Sequence, residues 1–140
     1  MQKLKLEFKE AWVKALRSGE WLPAKNLLGI ANTNQRCCLG VALEVMGIVP
    51  SIVDEGILCY NGEIYTPSRE MWQEVIADGS ILDTTVDPFS VLISQNFPRV
   101  QELRVLLGYL DVSQFFVSLP SLNDKGIGFD MIADIVECYG

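Results

Sequence analysis

The chain contains no histidine. That absence removes Ser-His-Asp and Cys-His catalysis, imidazole general-base chemistry, and zinc or iron sites built on an imidazole ligand. No G-x-x-x-x-G-K-[ST] phosphate loop and no G-x-G-x-x-G turn occurs. Apolar runs are interrupted by Gly, Glu, Asp or Pro well short of the roughly 18 residues that a membrane span needs. The segment from Met1 to Lys9 is charged throughout and lacks an apolar stretch, so no signal peptide and a cytoplasmic location are expected. The four cysteines have no metal-ligand spacing. Cys37 and Cys38 are adjacent, and Cys59 and Cys138 stand far from them in sequence. They are expected to be reduced, buried structural thiols. The alternative is a reactive thiol beside Arg36, where a helix start would lower its pKa.

Positive charge is also scarce. Eleven Lys and Arg face eighteen Asp and Glu, a net charge of −7, which disfavours general nucleic-acid binding through phosphates. The imbalance is uneven. Residues 1–36 hold seven basic and three acidic side chains, whereas residues 37–140 hold four basic and fifteen acidic ones. The basic part reads either as one solvated helix face or as a local anion site on an acidic body.

What is abundant is apolar surface. Hydrophobic residues make up 49% of 140 residues, enough for a single domain of residues 1–140 that buries about 68–70% of its unfolded surface. Helical spacing of Leu4, Phe8, Trp12, Ala15 and Leu16 predicts a helix over 3–18, with Gly19 as its left-handed cap. A second helix is expected over 35–46, capped by Asn34, with Gly40 inside it to admit a neighbouring backbone. Asn61-Gly62 between Ile57–Tyr60 and Glu63–Tyr65 predicts a type I′ hairpin. Thr66 and Pro67 are expected to start a helix that runs to about Asp78-Gly79. The stretch 80–95 reads equally as short strands or loop anchors. Beyond Pro98, a helix ends at Gly108, and a short helix over 115–117 with a capping-box-like Asp111 and Gln114 is stopped by Pro120. A turn at 122–126 leads into a last helix through Phe129, Ile132 and Val136. The fold class is α+β: a mostly helical single domain with a small antiparallel β-hairpin.

Three segments carry a resemblance. They are Trp12-x-x-x-Leu16-Arg17-Ser18-Gly19-x-Trp21; Cys37-Cys38-Leu39-Gly40-Val41 with Glu44-x-x-Gly47; and Leu122-Asn123-Asp124-x-Gly126 followed by Phe129-x-x-Ile132-Ala133-Asp134. In that order they resemble a family of small proteins of tailed bacteriophages and prophages. Here Asn26 to Gln35 is plainer than the Gly- and aromatic-rich run the family often carries. The resemblance implies no activity, but it implies a setting: an accessory protein in the cytoplasm of an infected bacterium, countering host defence by binding a host protein or trapping a nucleotide-derived signal.

Physically, the same motifs nominate one ligand site. Arg17 and Arg36 offer guanidinium groups for phosphate, Asn123 and Asp124 offer groups for ribose or a base edge, and Trp12 or Trp21 offers a stacking wall. The bland reading of these residues is that they tie helix ends together, with Arg17 or Arg36 paired to Asp124 and Trp12 in the core. No catalytic residue, metal or cofactor is assigned. The leading expectation is a non-enzymatic binding protein for an anionic small molecule or a host protein. The alternatives are a homodimeric interaction module using exposed apolar hairpin residues, and a histidine-independent nucleotide hydrolase or lyase using Asp124 or Glu44.

Overall fold

The computed structural model describes residues 1–77 and 80–140. Among them six α-helices and three two-stranded sheets form one mixed α+β domain. The helices are α1 (Leu6–Arg17), α2 (Cys38–Val45), α3 (Arg69–Gln73), α4 (Val100–Leu107), α5 (Leu119–Asp124) and α6 (Phe129–Tyr139). The strands are β1 (Leu22–Pro23), β2 (Gln35–Arg36), β3 (Ser51–Val53), β4 (Ile57–Cys59), β5 (Ser90–Ile93) and β6 (Phe115–Ser118). β1 pairs parallel to β2, while β3–β4 and β5–β6 are antiparallel.

The core is helical. α1 packs on α6 and α2, and α5 packs on α2 and α6. Each outer helix buries one stripe: Trp12, Val13 and Leu16 on α1, and Met131, Ile132, Ala133, Ile135 and Val136 on α6. Burial of the Val, Leu, Ile and Met side chains among them stabilises by about 1.5–3 kcal/mol each. α2 differs, because Cys38 through Leu43 are all buried. Aromatic rings join the layers. Trp72 of α3 meets Trp12 edge-on at 5.6 Å and Phe89 at 4.8 Å, and Phe8 stacks on Trp12 at 5.6 Å. Such pairs contribute about 0.5–1.5 kcal/mol beyond their buried area.

α1, α4 and α6 lie where periodicity places them, and Gly19 and Gly108 adopt the left-handed conformation that ends α1 and α4. The other boundaries differ in instructive ways. α2 begins at Cys38, not Gln35, because Gln35 and Arg36 pair with Leu22 and Pro23. Its cap is Cys37, whose Sγ accepts the Gly40 N–H, rather than Asn34. The α3 cap is Ser68, accepting from the Met71 N–H, rather than Thr66. The expected end of that helix at Asp78-Gly79 lies outside the described residues.

Asn61 and Gly62 both take positive φ, and Tyr60 pairs with Glu63 across them, as a type I′ turn requires. Ile64 and Tyr65, expected as the second strand, do not form one: the Ile64 carbonyl accepts from the Leu28 N–H instead. The hairpin of the fold is β3–β4, turned by Asp54-Glu55-Gly56 with Glu55 at φ +61°. Residues 115–118 are strand β6 rather than a helix, paired residue for residue with β5. Pro120 opens α5 rather than stopping a helix, and Leu122 to Asp124 are helical rather than a turn.

Candidate functional site

The polar residues singled out by the sequence fall into separate clusters. One gathers at the N-terminus of α2. The Asn123 side chain is fully buried there. Its Oδ1 accepts the Cys38 N–H at 3.1 Å, and its Nδ2 donates to the Ala24 carbonyl at 2.6 Å. Cys37 Sγ accepts the Gly40 N–H at 3.3 Å, and the Trp12 Nε1–H donates to the Cys38 carbonyl at 3.0 Å. The free N–H groups of a helix start, an anion site in other settings, are thus met by the protein's own atoms. Burial, opposed by the Gly40 and Leu39 N–H groups, pushes the Cys37 thiol up to about 11, and burial raises Cys38 well above the ordinary thiol range. Neither is a thiolate at neutral pH, contrary to the reactive-cysteine alternative.

Beside this start lies a small cavity of about 200 Å³ lined by Asn26, Leu27, Cys37, Tyr65, Pro120 and Asp124. Asp124 Oδ1 accepts the Asn26 N–H at 2.9 Å. Neither Arg17 nor Arg36 pairs with Asp124.

Arg36 forms a second cluster. It lies in β2, before the cap of α2, and its side chain is nearly buried. Nε donates to Glu44 Oε1 at 3.0 Å, and Nη1 donates to the carbonyls of Ile30, Thr33 and Gln35. The guanidinium sits 4.8 Å over the Trp21 ring. Tyr60 Oη donates to the same Glu44 oxygen at 2.6 Å; burial, then the bond to Glu44, raises its pKa. Glu44 is therefore held by two donors.

Arg17 turns away to α6, donating to Asp134 and Glu137. Asp134 also receives Arg99, the residue before α4, which pairs with Glu102 and Asp130 as well. Burial alone would raise the Asp134 carboxyl. The hydrogen bonds from Arg99 and Arg17, with their charges, outweigh that and hold it below the ordinary aspartate value. Trp12 has no exposed surface, so it is core rather than a wall of an open pocket. Of the six candidate residues, the structure thus brings Asn123, Asp124 and Trp12 to the start of α2, sets Trp21 under Arg36, and sends Arg17 to α6. Among the described residues no three Cys, Asp or Glu side chains gather in a way that could hold a metal ion, and no helix is long and apolar enough to cross a membrane.

The feature that sequence reasoning missed is apolar. In the β5–β6 ladder Val91, Ile93, Phe115 and Val117 face the core, whereas Leu92 and Phe116, directly opposed, face outward with 39% and 70% of their surface exposed. They line a groove of about 530 Å³ with Val86 and Pro88, and Asp83 and Asp87 stand on it. Strand alternation would have revealed Phe116, but Phe115-Phe116-Val117 read as helix hides which ring points out. On the expected hairpin, by contrast, Leu58 and Tyr60 are buried and Tyr65 is exposed.

A family model for a domain of unknown function, DUF8296, matches residues 4–140, and the chain belongs to that family. No curated protein and no solved structure matches it.

Proposed function

We propose that this member of the family is a non-enzymatic binding protein whose ligand is another protein, docked on the outer face of β5–β6. In the phage setting implied by its three motifs, the bound protein is a host component that it inhibits or sequesters in the cytoplasm. The observation that carries this reading is the Leu92–Phe116 pair, two large apolar side chains opposed on an outward sheet face beside a groove. Aromatic and aliphatic side chains of this kind form the centres of protein interfaces, and clustered exposed apolar surface marks interaction sites. The groups first nominated for a nucleotide support the same choice. Arg17, Arg36 and Asn123 are each engaged by the protein's own carboxylates or main chain.

The test places a photo-crosslinking amino acid at position 116 of the full chain in bacterial cells, with a control at exposed Tyr65. The expected result is one heavier species, formed from 116 and not from 65, whose second component is a single bacterial protein. A product made of two copies of this chain would overturn the reading in favour of a homodimer. So would a few hundred daltons of extra mass in native mass spectrometry that is lost in Arg17→Ala or Arg36→Ala, in favour of a small anionic ligand.

A further inference from the structure

The groove beside Phe116 has a chemistry of its own, and it narrows the partner named above, on which this inference rests. Its apolar floor comes from three parts of the chain: Met1, Val86 with Pro88 in the loop before β5, and Leu92 with Phe116 across the ladder. At about 530 Å³ it lies within the range of roughly 300–1,000 Å³ in which proteins seat small groups. The loop bears two aspartates held by local turns. Asp83 Oδ1 accepts from the Thr85 N–H and hydroxyl, and Asp87 Oδ1 accepts from the Phe89 N–H. Such turns fix the side chain with one carboxylate oxygen inward and leave the other for a ligand.

Two cations stand at this groove: the ammonium group of Met1, a residue that lines it, and Arg69, whose Nη groups both donate to main-chain carbonyls, those of Asp83 and Val86. Neither aspartate takes part in an ion pair among the described residues. Gln2 of the basic N-terminal segment is hydrogen-bonded to this loop, whereas residues 37–140, which supply the rest of the groove, hold fifteen acids against four bases.

We propose that this groove takes a short segment of the partner protein in which apolar side chains are flanked by lysine or arginine. The apolar groups would cover Leu92 and Phe116, and a basic group would meet Asp83 or Asp87. A second copy of the chain fits less well, because a two-fold contact through this patch sets the same acidic rim against itself. Fixed carboxylates also lower the ordering cost of capturing a cation.

The experiment selects binders to the full chain from a library of random short peptides and measures their affinity by fluorescence anisotropy. Enriched peptides should pair apolar residues with Lys or Arg and should bind Phe116→Thr at least tenfold more weakly. Asp83→Asn and Asp87→Asn, which keep the oxygen that accepts the turn bonds, should each weaken binding by up to about fivefold. Raising salt from about 0.01 M to about 1 M shortens the Debye length from about 30 Å to about 3 Å and should weaken it further. Unchanged circular dichroism and unfolding midpoints would show that the variants are folded. Neutral or acidic peptides, equal binding to Phe116→Thr, or no enrichment would overturn the proposal. The two readings fail separately. A host protein crosslinked at 116 through a segment without basic residues sinks only the charge-specific claim, whereas a crosslinked second copy sinks the broader one.

Discussion

Gly40 lies inside α2, where alanine is the better helix former by about 1 kcal/mol. Gly40→Ala should nevertheless destabilise the protein. A Cβ built on Gly40 falls 2.0 Å from the Leu28 carbonyl oxygen and 3.0 Å from its carbon, and both atoms belong to main chain. That oxygen accepts the Cys37 N–H at 3.0 Å, and the segment is also held by Leu28 N–H to Ile64 and by Leu58 N–H to the Gly29 carbonyl. The backbone must shift by more than an ångström, so the strain spreads into three chain segments. Overpacking of a dense core costs about 1–3 kcal/mol, and an orphaned buried main-chain group costs about 1–3 kcal/mol more. Set against the propensity gain of about 1 kcal/mol, the expected net loss is about 1–5 kcal/mol. Urea unfolding followed by tryptophan fluorescence should show a lower midpoint with an unchanged slope. An unchanged or raised midpoint would refute the close approach of α2 to residue 28.

Three further outcomes follow from the same contacts. Asn123→Ala removes one acceptor and one donor from buried main-chain partners, so it should lose about 2–6 kcal/mol, at about 1–3 per orphaned group; a loss under about 1 kcal/mol in urea titration would contradict the buried bridge. Asp134 is depressed in the folded state, so its contribution to stability is complete above the unfolded aspartate pKa and fades as pH falls through the lower folded value; stability of Asp134→Asn, measured by thermal melts across acid pH, should fall less steeply below pH about 4 than that of the parent. With an aromatic disulfide reagent at mildly alkaline pH, exposed Cys138 should react first and half-buried Cys59 more slowly, while Cys37 and Cys38 react only on unfolding; early modification of either adjacent thiol would contradict their burial.

How much of this was legible beforehand depended on where each segment's partner lay. α1, α4 and α6 bury one stripe each, and a stripe shows in local spacing. The Asn61-Gly62 turn was legible because its two positive φ values select those residues. What followed was not, since Ile64 is claimed by Leu28, 36 positions earlier in the chain. β6 hid behind Asp111 and Gln114, which mimic a helix start, and its partner β5 lies more than twenty residues away. The α2 boundary slipped for a similar reason: Asn34 is the better cap by rule, but pairing with Leu22 and Pro23 keeps residues 35 and 36 extended. Of the nominated site residues, the bland reading was right that Trp12 is core. The partners of Arg17 and Arg36 are Asp134, Glu137 and Glu44, which no local pattern connects to them.

The loop that Arg36 gathers has a consequence for how the chain can vary. One guanidinium group collects the carbonyls of residues 30, 33 and 35, so it recognises main chain, which every amino acid supplies alike. The cation shares that loop with the Thr33 hydroxyl, which donates to the Ile30 carbonyl and accepts the Gln35 N–H, and with Asn34 Nδ2, which donates to the Glu20 carbonyl. At the tip, Asn32 takes a left-handed φ of +59°, so this position can change only toward residues at ease there, such as glycine or aspartate, while the cation behind it keeps the curve of the backbone.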